Sequence, residues 1–229
     1  MFIYHLPFTN STPREQRVKL LSNSLAFTLG SALGSQICLR MANRQQPRPM
    51  PHQFAKALDH PLRLKYRNPR ATLGLFGVAP GLTVLDLGCG VGTFTVEMAR
   101  MVGETGTVHA IDIQESLIEQ TRQRIASVGL AERTRLHRSG AYQLPLADDS
   151  IDLAVLIATL PQIPNKLLAL AELSRVLKRG ARLAVSEELP DPAYVPPAVT
   201  RQWLTEAGFR FGGQSGSFFC YSMIFFNEK

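Results

Sequence analysis

From residue 83 onward the chain alternates between two hydrophobic patterns. Short apolar runs occur at 83–87, 107–112, 151–157 and 181–186, the form taken by strands buried on both faces, and the more polar 134–138 reads as a further strand by its place between helical segments. Segments at 70–76, 93–102, 115–128, 165–178 and 197–207 instead repeat their apolar positions every three or four residues, the period of one helical face. This alternation predicts an α/β domain, a doubly wound, mostly parallel sheet covered by helices. Gly129 and Gly180 stand where helix C-caps are expected, and Asn165 where an N-cap is. The C-terminal stretch GFRFGGQSGSFFCYSMIFF is two apolar runs around a Gly/Ser turn, which predicts an antiparallel hairpin at the sheet edge. Its run 218–226 reads as a strand.

The first third follows another pattern. Leu20 to Leu39 carries no charge, and Val18, Leu21, Leu25, Leu29, Leu33 and Ile37 share one helical face. Three readings stay open for this amphipathic segment: a helix packed on the domain or lying on a membrane surface, a membrane anchor, or an organelle-targeting presequence. Residues 45–51, QQPRPMP, read as a linker, so the expected division is a basic N-terminal arm over 1–51 and a main domain over 52–229.

Charge sharpens that division. The net charge of +7 conceals +9 in residues 1–70, where eleven Lys/Arg face two acids, and −2 in residues 71–229. A nucleic-acid enzyme concentrates basic surface around its site, so this balance argues against a nucleic-acid partner and leaves a membrane surface open through residues 14–40. The three cysteines, Cys38, Cys89 and Cys220, have no metal-ligand spacing, which predicts no metal and a reducing compartment. The localisation expected is cytoplasmic or membrane-associated, or an organelle if the first segment is a presequence. Oligomeric state is not readable.

The chemistry centres on TVLDLGCGVGTF, residues 83–94. A turn leaving the carboxyl end of a strand is where doubly wound sheets bind ligands. A dinucleotide fingerprint would place its third glycine at position 93, which is Thr93, and no lysine follows as in a phosphate-binding loop. The glycines are Gly88, Gly90 and Gly92. Asp86 beside them would repel a pyrophosphate but attract a ligand with a sulfonium and an ammonium. Asp112, at the end of the next strand, stands where an acid accepts from both hydroxyls of a ribose. Together these point to S-adenosylmethionine. A nicotinamide-dependent oxidoreductase is the weaker alternative.

VLDLGCGVGTF resembles motif I of the class I S-adenosylmethionine-dependent methyltransferases. VHAIDIQESLIEQTRQR, SGAYQLPLADDSIDLAVL and ALAELSRVLKRGARLAVSE resemble its later motifs, over about residues 60–229. The nearest branch is that of the quinone and sterol methyltransferases. The resemblance implies a Rossmann-like seven-stranded sheet with an antiparallel last strand. It places Asp86, Gly88, Cys89, Gly90 and Gly92 around the methionine part of the cofactor, Asp112 at the ribose, Ile113 on the adenine, and Ala141 and Tyr142 on its other side. Where the family has an acid for the adenine amino group this chain has Gly140, and K-P-G-G is replaced by Lys178-Arg179-Gly180-Ala181. The first departure removes a hydrogen bond worth about 0.5–1.5 kcal/mol and keeps a second alternative open, a cofactor-binding module without turnover acting through the basic arm.

Methyl transfer needs alignment and exclusion of water before it needs a base. The acceptor, small or lipophilic, is expected beyond the fourth strand and under the arm. His60, Tyr66 and Glu187 are the candidate catalytic residues, with Thr159, Gln162, Glu188 and Tyr194 as neighbours. The segment IATLPQIPN lacks the N/D-P-P-Y/F motif of amino-methylating nucleic-acid enzymes.

Overall fold

The computed structural model describes residues 34–229 together with Ser24, Thr28, Gly30 and Ser31. Half of the uncharged segment 20–39 lies outside the described residues, as does the question of how it meets a membrane. Among the described residues no helix is long and apolar enough to cross one.

A helix over residues 34–45, α1, leads through non-helical residues 47–51 into a 3-10 turn, His52–Asp59. There follow α2 (Pro61–Tyr66), α3 (Pro69–Phe76), β1 (Thr83–Leu87), α4 (Thr93–Met101), β2 (Thr107–Asp112), α5 (Glu115–Ser127), β3 (Thr134–Arg138) and β4 (Ile151–Ile157). The chain ends with α6 (Lys166–Val176), β5 (Leu177–Glu188), α7 (Pro197–Glu206), β6 (Phe209–Gly216) and β7 (Cys220–Asn227). The sheet order is β3-β2-β1-β4-β5-β7-β6. Neighbouring strands from β3 to β5 are parallel, and β7 runs antiparallel to both β5 and β6. The doubly wound, Rossmann-like, seven-stranded sheet with its antiparallel edge is therefore present.

Two cores flank the sheet. Leu85, Leu87, Leu156, Leu183, Val185, Tyr221 and Phe225 share one with α6 and α7, while Val84, Val108, Leu153, Val155 and Ala184 share the other with α3 and α4. Alternate residues of each strand thus go to opposite sides, and each buried aliphatic side chain contributes about 1.5–3 kcal/mol. Caps match local chemistry: the Asn68 side chain accepts from the Ala71 amide at 3.0 Å before α3, and Asn165 from Leu168 at 3.1 Å before α6. Gly129, with φ +70°, follows α5 as expected.

Gly180 differs from expectation. The sixth helix ends at Val176, and Gly180 lies within β5, which starts at Leu177. Leu177 is buried and already pairs with Ile151, and the register shifts between Ile151 and Leu153. The positive φ of Gly180, +74°, therefore serves an irregularity of the strand. Core pairing overrides the helical pattern of residues 177–178.

Candidate active site

The turn after β1 is where a doubly wound sheet reverses direction, β1 lying between β2 and β4. Its glycines are required by space as well as by backbone. Gly88 has φ +78°, and a Cβ there would stand 2.5 Å from the Thr159 side chain. Gly92 has φ +79°, and its Cβ would stand 2.8 Å from Thr121 Cγ2. The Gly88 and Cys89 amides both donate to the Ile111 carbonyl, at 2.8 and 3.1 Å, which seats the turn on the end of β2.

Two carboxyl groups meet at this seat. Asp86 is 3% exposed and accepts from Thr95 Oγ1 at 2.6 Å. Burial, with the neighbouring Asp112 charge adding to it, raises Asp86 to about 7 against the Thr95 hydrogen bond. Asp112 accepts from the Gly90 amide at 3.1 Å and the Gln114 amide at 2.9 Å. Burial pushes it upward too, opposed by those amides. Each Asp112 oxygen holds one backbone donor and retains acceptor capacity. Cys89 is buried beside them, its thiol pushed up by burial. Two closely placed buried acids favour a cation, and a carboxylate with spare lone pairs suits a diol. The adjoining surface suits a flat ring: Ile113 is 54% exposed, and a Cβ on Gly140 would lie 4.0 Å from its Cδ1. Ala141 packs against the core beside this surface, and the Tyr142 hydroxyl accepts from the Asn165 amide at 2.8 Å.

Segment 47–60 covers this seat. Ala55 is buried with Val91 and Leu117, and Leu58 packs with them. Asp59 accepts from Thr93 Oγ1 and pairs with Arg124, so the residue at the missing dinucleotide glycine holds the cover in place. The Met50 amide donates to Gln162 Oε1 at 2.8 Å, and its carbonyl accepts from Gln114 Nε2 at 2.9 Å. That one residue therefore spans the ends of β4 and β2.

On the β5 side the candidates divide into two groups. Glu188 faces α2, where it accepts from Arg63 Nε at 2.7 Å and from the Tyr66 hydroxyl at 2.9 Å, with Arg67 Nε at 3.4 Å. Burial and the Glu188 charge raise Tyr66 to about 12. Glu187 goes to the opposite side. It is fully buried, and neither carboxyl oxygen has a hydrogen-bond partner. Gln162 and Asp191 stand close together there, 3.5 Å apart, and Tyr194 is buried near Tyr221, ring centroids 5.9 Å apart. His60 belongs to neither group: it is exposed, and its Nδ1 accepts from the Leu62 amide as the N-cap of α2.

The methyltransferase-domain family matches this chain over residues 79–206, from just before β1 through α7. The chain belongs to that family. Its fold is the class I, S-adenosylmethionine-dependent one, and a SAM-dependent methyltransferase from Aquifex aeolicus superposes with a TM-score of 0.74 at 29% identity, over 78% of this chain and all of that one. The ubiquinone/menaquinone biosynthesis C-methyltransferase of Klebsiella pneumoniae is 37% identical over 118 residues, 52% of this chain and 47% of that protein. The enzyme of the same name from Escherichia fergusonii is 38% identical over the same shares. The chain thus spans about half the length of the curated relatives it matches. S-adenosylmethionine is the cofactor of the family, and the acid pair, the glycine seat and the ring-sized surface of this methyltransferase domain fit it.

Sequence reasoning missed the cover and its fastenings. Asp59 carried a signal, being one of two acids among the first seventy residues. Arg67 carried none, since nothing local marks an arginine that ends 1% exposed.

Proposed function

We propose that this chain transfers a methyl group from S-adenosylmethionine to a lipophilic acceptor of the quinone type. The observation that carries the reading is the buried pair Asp86 and Asp112 beside a turn in which Gly88 and Gly92 leave no room for a side chain. Asp86, with the Gly88, Cys89, Gly90 and Gly92 backbone, would hold the methionine part through its ammonium. Asp112 would hold the two ribose hydroxyls, Ile113 would cover one face of the adenine, and Ala141 and Tyr142 would border the other. Gly140 offers no side chain to the adenine amino group, leaving backbone to supply that contact.

When bound, the cofactor supplies an electrophilic methyl on a sulfonium whose charge disperses as the methyl leaves. The chain's part is to orient and to dry the site. Asp86 and Asp112 fix the cofactor at two points, and Ala55, Leu58 and Val91 keep water from the glycine turn. Alignment of this kind lowers a barrier by about 7–11 kcal/mol. The acceptor's place is between the ends of β4 and β5, beside Thr159, Gln162 and Tyr194, with Glu187 the acid at hand. Tyr66 sits with Glu188 at its border, and His60 would act only if the cover moved.

The curated relatives support the acceptor class, since their names state C-methylation in quinone biosynthesis. The same reading makes residues 1–51 an arm and 52–229 the catalytic domain, and gives the basic stretch 14–40 a membrane surface as its partner. Two measurements test the whole. Calorimetric titration with S-adenosylhomocysteine should show tight binding, and the absence of heat and of any thermal shift would refute the cofactor. Incubation with methyl-labelled cofactor and cell extract should place label in the lipid fraction; label only in protein or RNA would refute the acceptor class.

A further inference from the structure

Glu187 is the one side chain among the described residues whose two carboxyl oxygens are both buried and both without a hydrogen-bond partner. A buried polar group left unsatisfied costs stability, and one in a native structure calls for an explanation, a role toward a ligand among them. Its position points the same way. In β5, Leu183 and Val185 lie on the α6–α7 side of the sheet, and alternation sends Glu187 there too. Ser186 pairs with Ile157 at the end of β4, so Glu187 lies at the level of Ala158 and Thr159, whose side chain meets Gly88. It is thus separated from the cofactor turn by the single strand β4, beside the buried cluster that also holds Leu160 and Tyr194.

The groups facing it do not satisfy it. From its own strand comes Glu188, held by Arg63 and Tyr66; from the following loop come Asp191 and Tyr194; from β7 comes Tyr221; from the end of α2 comes Arg67. Tyr221 is engaged with Thr200 Oγ1 at 2.7 Å and the Val195 carbonyl at 2.9 Å. The Tyr194 hydroxyl donates to the Phe218 carbonyl at 2.6 Å. Asp191 accepts from the Ala193 amide at 2.7 Å. Burial, together with the Asp191 charge and against Arg67, holds the Glu187 carboxyl well above the usual carboxylate range. A neutral carboxyl both donates and accepts a hydrogen bond, as a hydroxyl does.

We infer that Glu187 is the specificity-determining residue of the acceptor site, its unpaired carboxyl meeting a hydroxyl on an otherwise aromatic or lipid-like acceptor. The inference rests on the methyltransferase reading and adds to it the group on the acceptor that is read. A site built to hydrogen-bond a ligand hydroxyl discriminates strongly against a ligand without it, because its own buried group is then left bare.

The test uses the full chain saturated with S-adenosylhomocysteine and two probes, 1-naphthol and its hydroxyl-free isostere 1-methylnaphthalene, with binding read by naphthalene fluorescence. The wild type should prefer 1-naphthol about tenfold. Glu187→Met, of similar length but unable to hydrogen-bond, should lose that preference and melt at a higher temperature, since it removes an unsatisfied group. Glu187→Gln, which keeps a donor and an acceptor, should retain most of the preference. Equal affinity of the wild type for both probes, binding of neither, or an unchanged preference in Glu187→Met would overturn the inference. If Glu187→Met does not fold, shown by loss of S-adenosylhomocysteine binding, Glu187→Gln decides, and loss of preference in that variant counts against it. Failure of the wild type to bind S-adenosylhomocysteine would bring down the cofactor reading first, and is seen in a separate titration.

Discussion

At the ends of β1 and β2, buried acids receive their hydrogen bonds from nearby backbone and from a helix that follows at once: Asp112 takes the amides of Gly90 and Gln114, and Asp86 takes Thr95. At the end of β5 the acids look further afield. Glu188 is met by Arg63, Tyr66 and Arg67, residues more than a hundred positions earlier, and Glu187 is met by nothing. The first arrangement is local, fixed by the glycine turn and its bonds to the end of β2. The second is assembled from side chains of separate elements and leaves one group open. A family can keep the first half and vary the second, because changing the β5 end does not disturb the glycine turn.

The contrast can be tested most strongly at Asp112. Asp112→Ala removes the two oxygens that, on the proposed reading, accept from the cofactor ribose, and charged hydrogen bonds contribute about 1.5–3 kcal/mol each. S-adenosylhomocysteine affinity should therefore fall by about two to four orders of magnitude, as read by calorimetry. A loss below tenfold would mean that the two halves do not differ in this way.

A smaller effect comes from Asp86, raised to about 7 by burial. A ligand ammonium needs the ionised form, so affinity for S-adenosylhomocysteine should rise up to about tenfold between pH 6 and pH 8, and flatten in Asp86→Asn. The unliganded protein should show the opposite trend. In the window between the ordinary carboxylate value of 3.8 and about 7, the folded state holds more protons on Asp86 than the unfolded one. Its contribution to stability therefore falls as pH rises through that window and is level above it. Melting temperatures of wild type and Asp86→Asn across this range measure the difference.

The smallest effect belongs to the β5 half. Tyr221→Phe removes a buried hydroxyl bound to Thr200 and Val195 and should destabilise the fold by about 1–3 kcal/mol. Urea denaturation reads that loss, and S-adenosylhomocysteine affinity should stay within twofold. A tenfold change in that affinity would join the two halves that the structure keeps apart.

The same contrast explains what could be read from the amino-acid sequence. The order of strands and helices, the hairpin and the acids at the ends of β1 and β2 are set by short-range patterns: apolar runs, capping residues such as Asn165, and glycines at Gly88, Gly90 and Gly92 where positive φ is needed. Gly180 misled because positive φ serves a strand irregularity as well as a helix end. Tyr66 and Glu187 were recognisable as residue types suited to chemistry, but the face each would take depends on pairings with Glu188 and Tyr221 across long stretches of chain. His60 shows the reverse: the residue that follows it, Pro61, starts a helix, and its ring caps that helix.

Met50 lies between Pro49 and Pro51, and a residue preceding proline is held in an extended conformation. Its amide is fastened to Gln162 and its carbonyl to Gln114. A stiff residue tied at both its polar groups acts as a latch with two keepers, so a displacement that frees the β2 end frees the β4 end in the same motion. On the proposed reading the cofactor end and the acceptor end would then open together, and a flexible replacement of either proline should uncouple the rates at which the two reactants enter and leave.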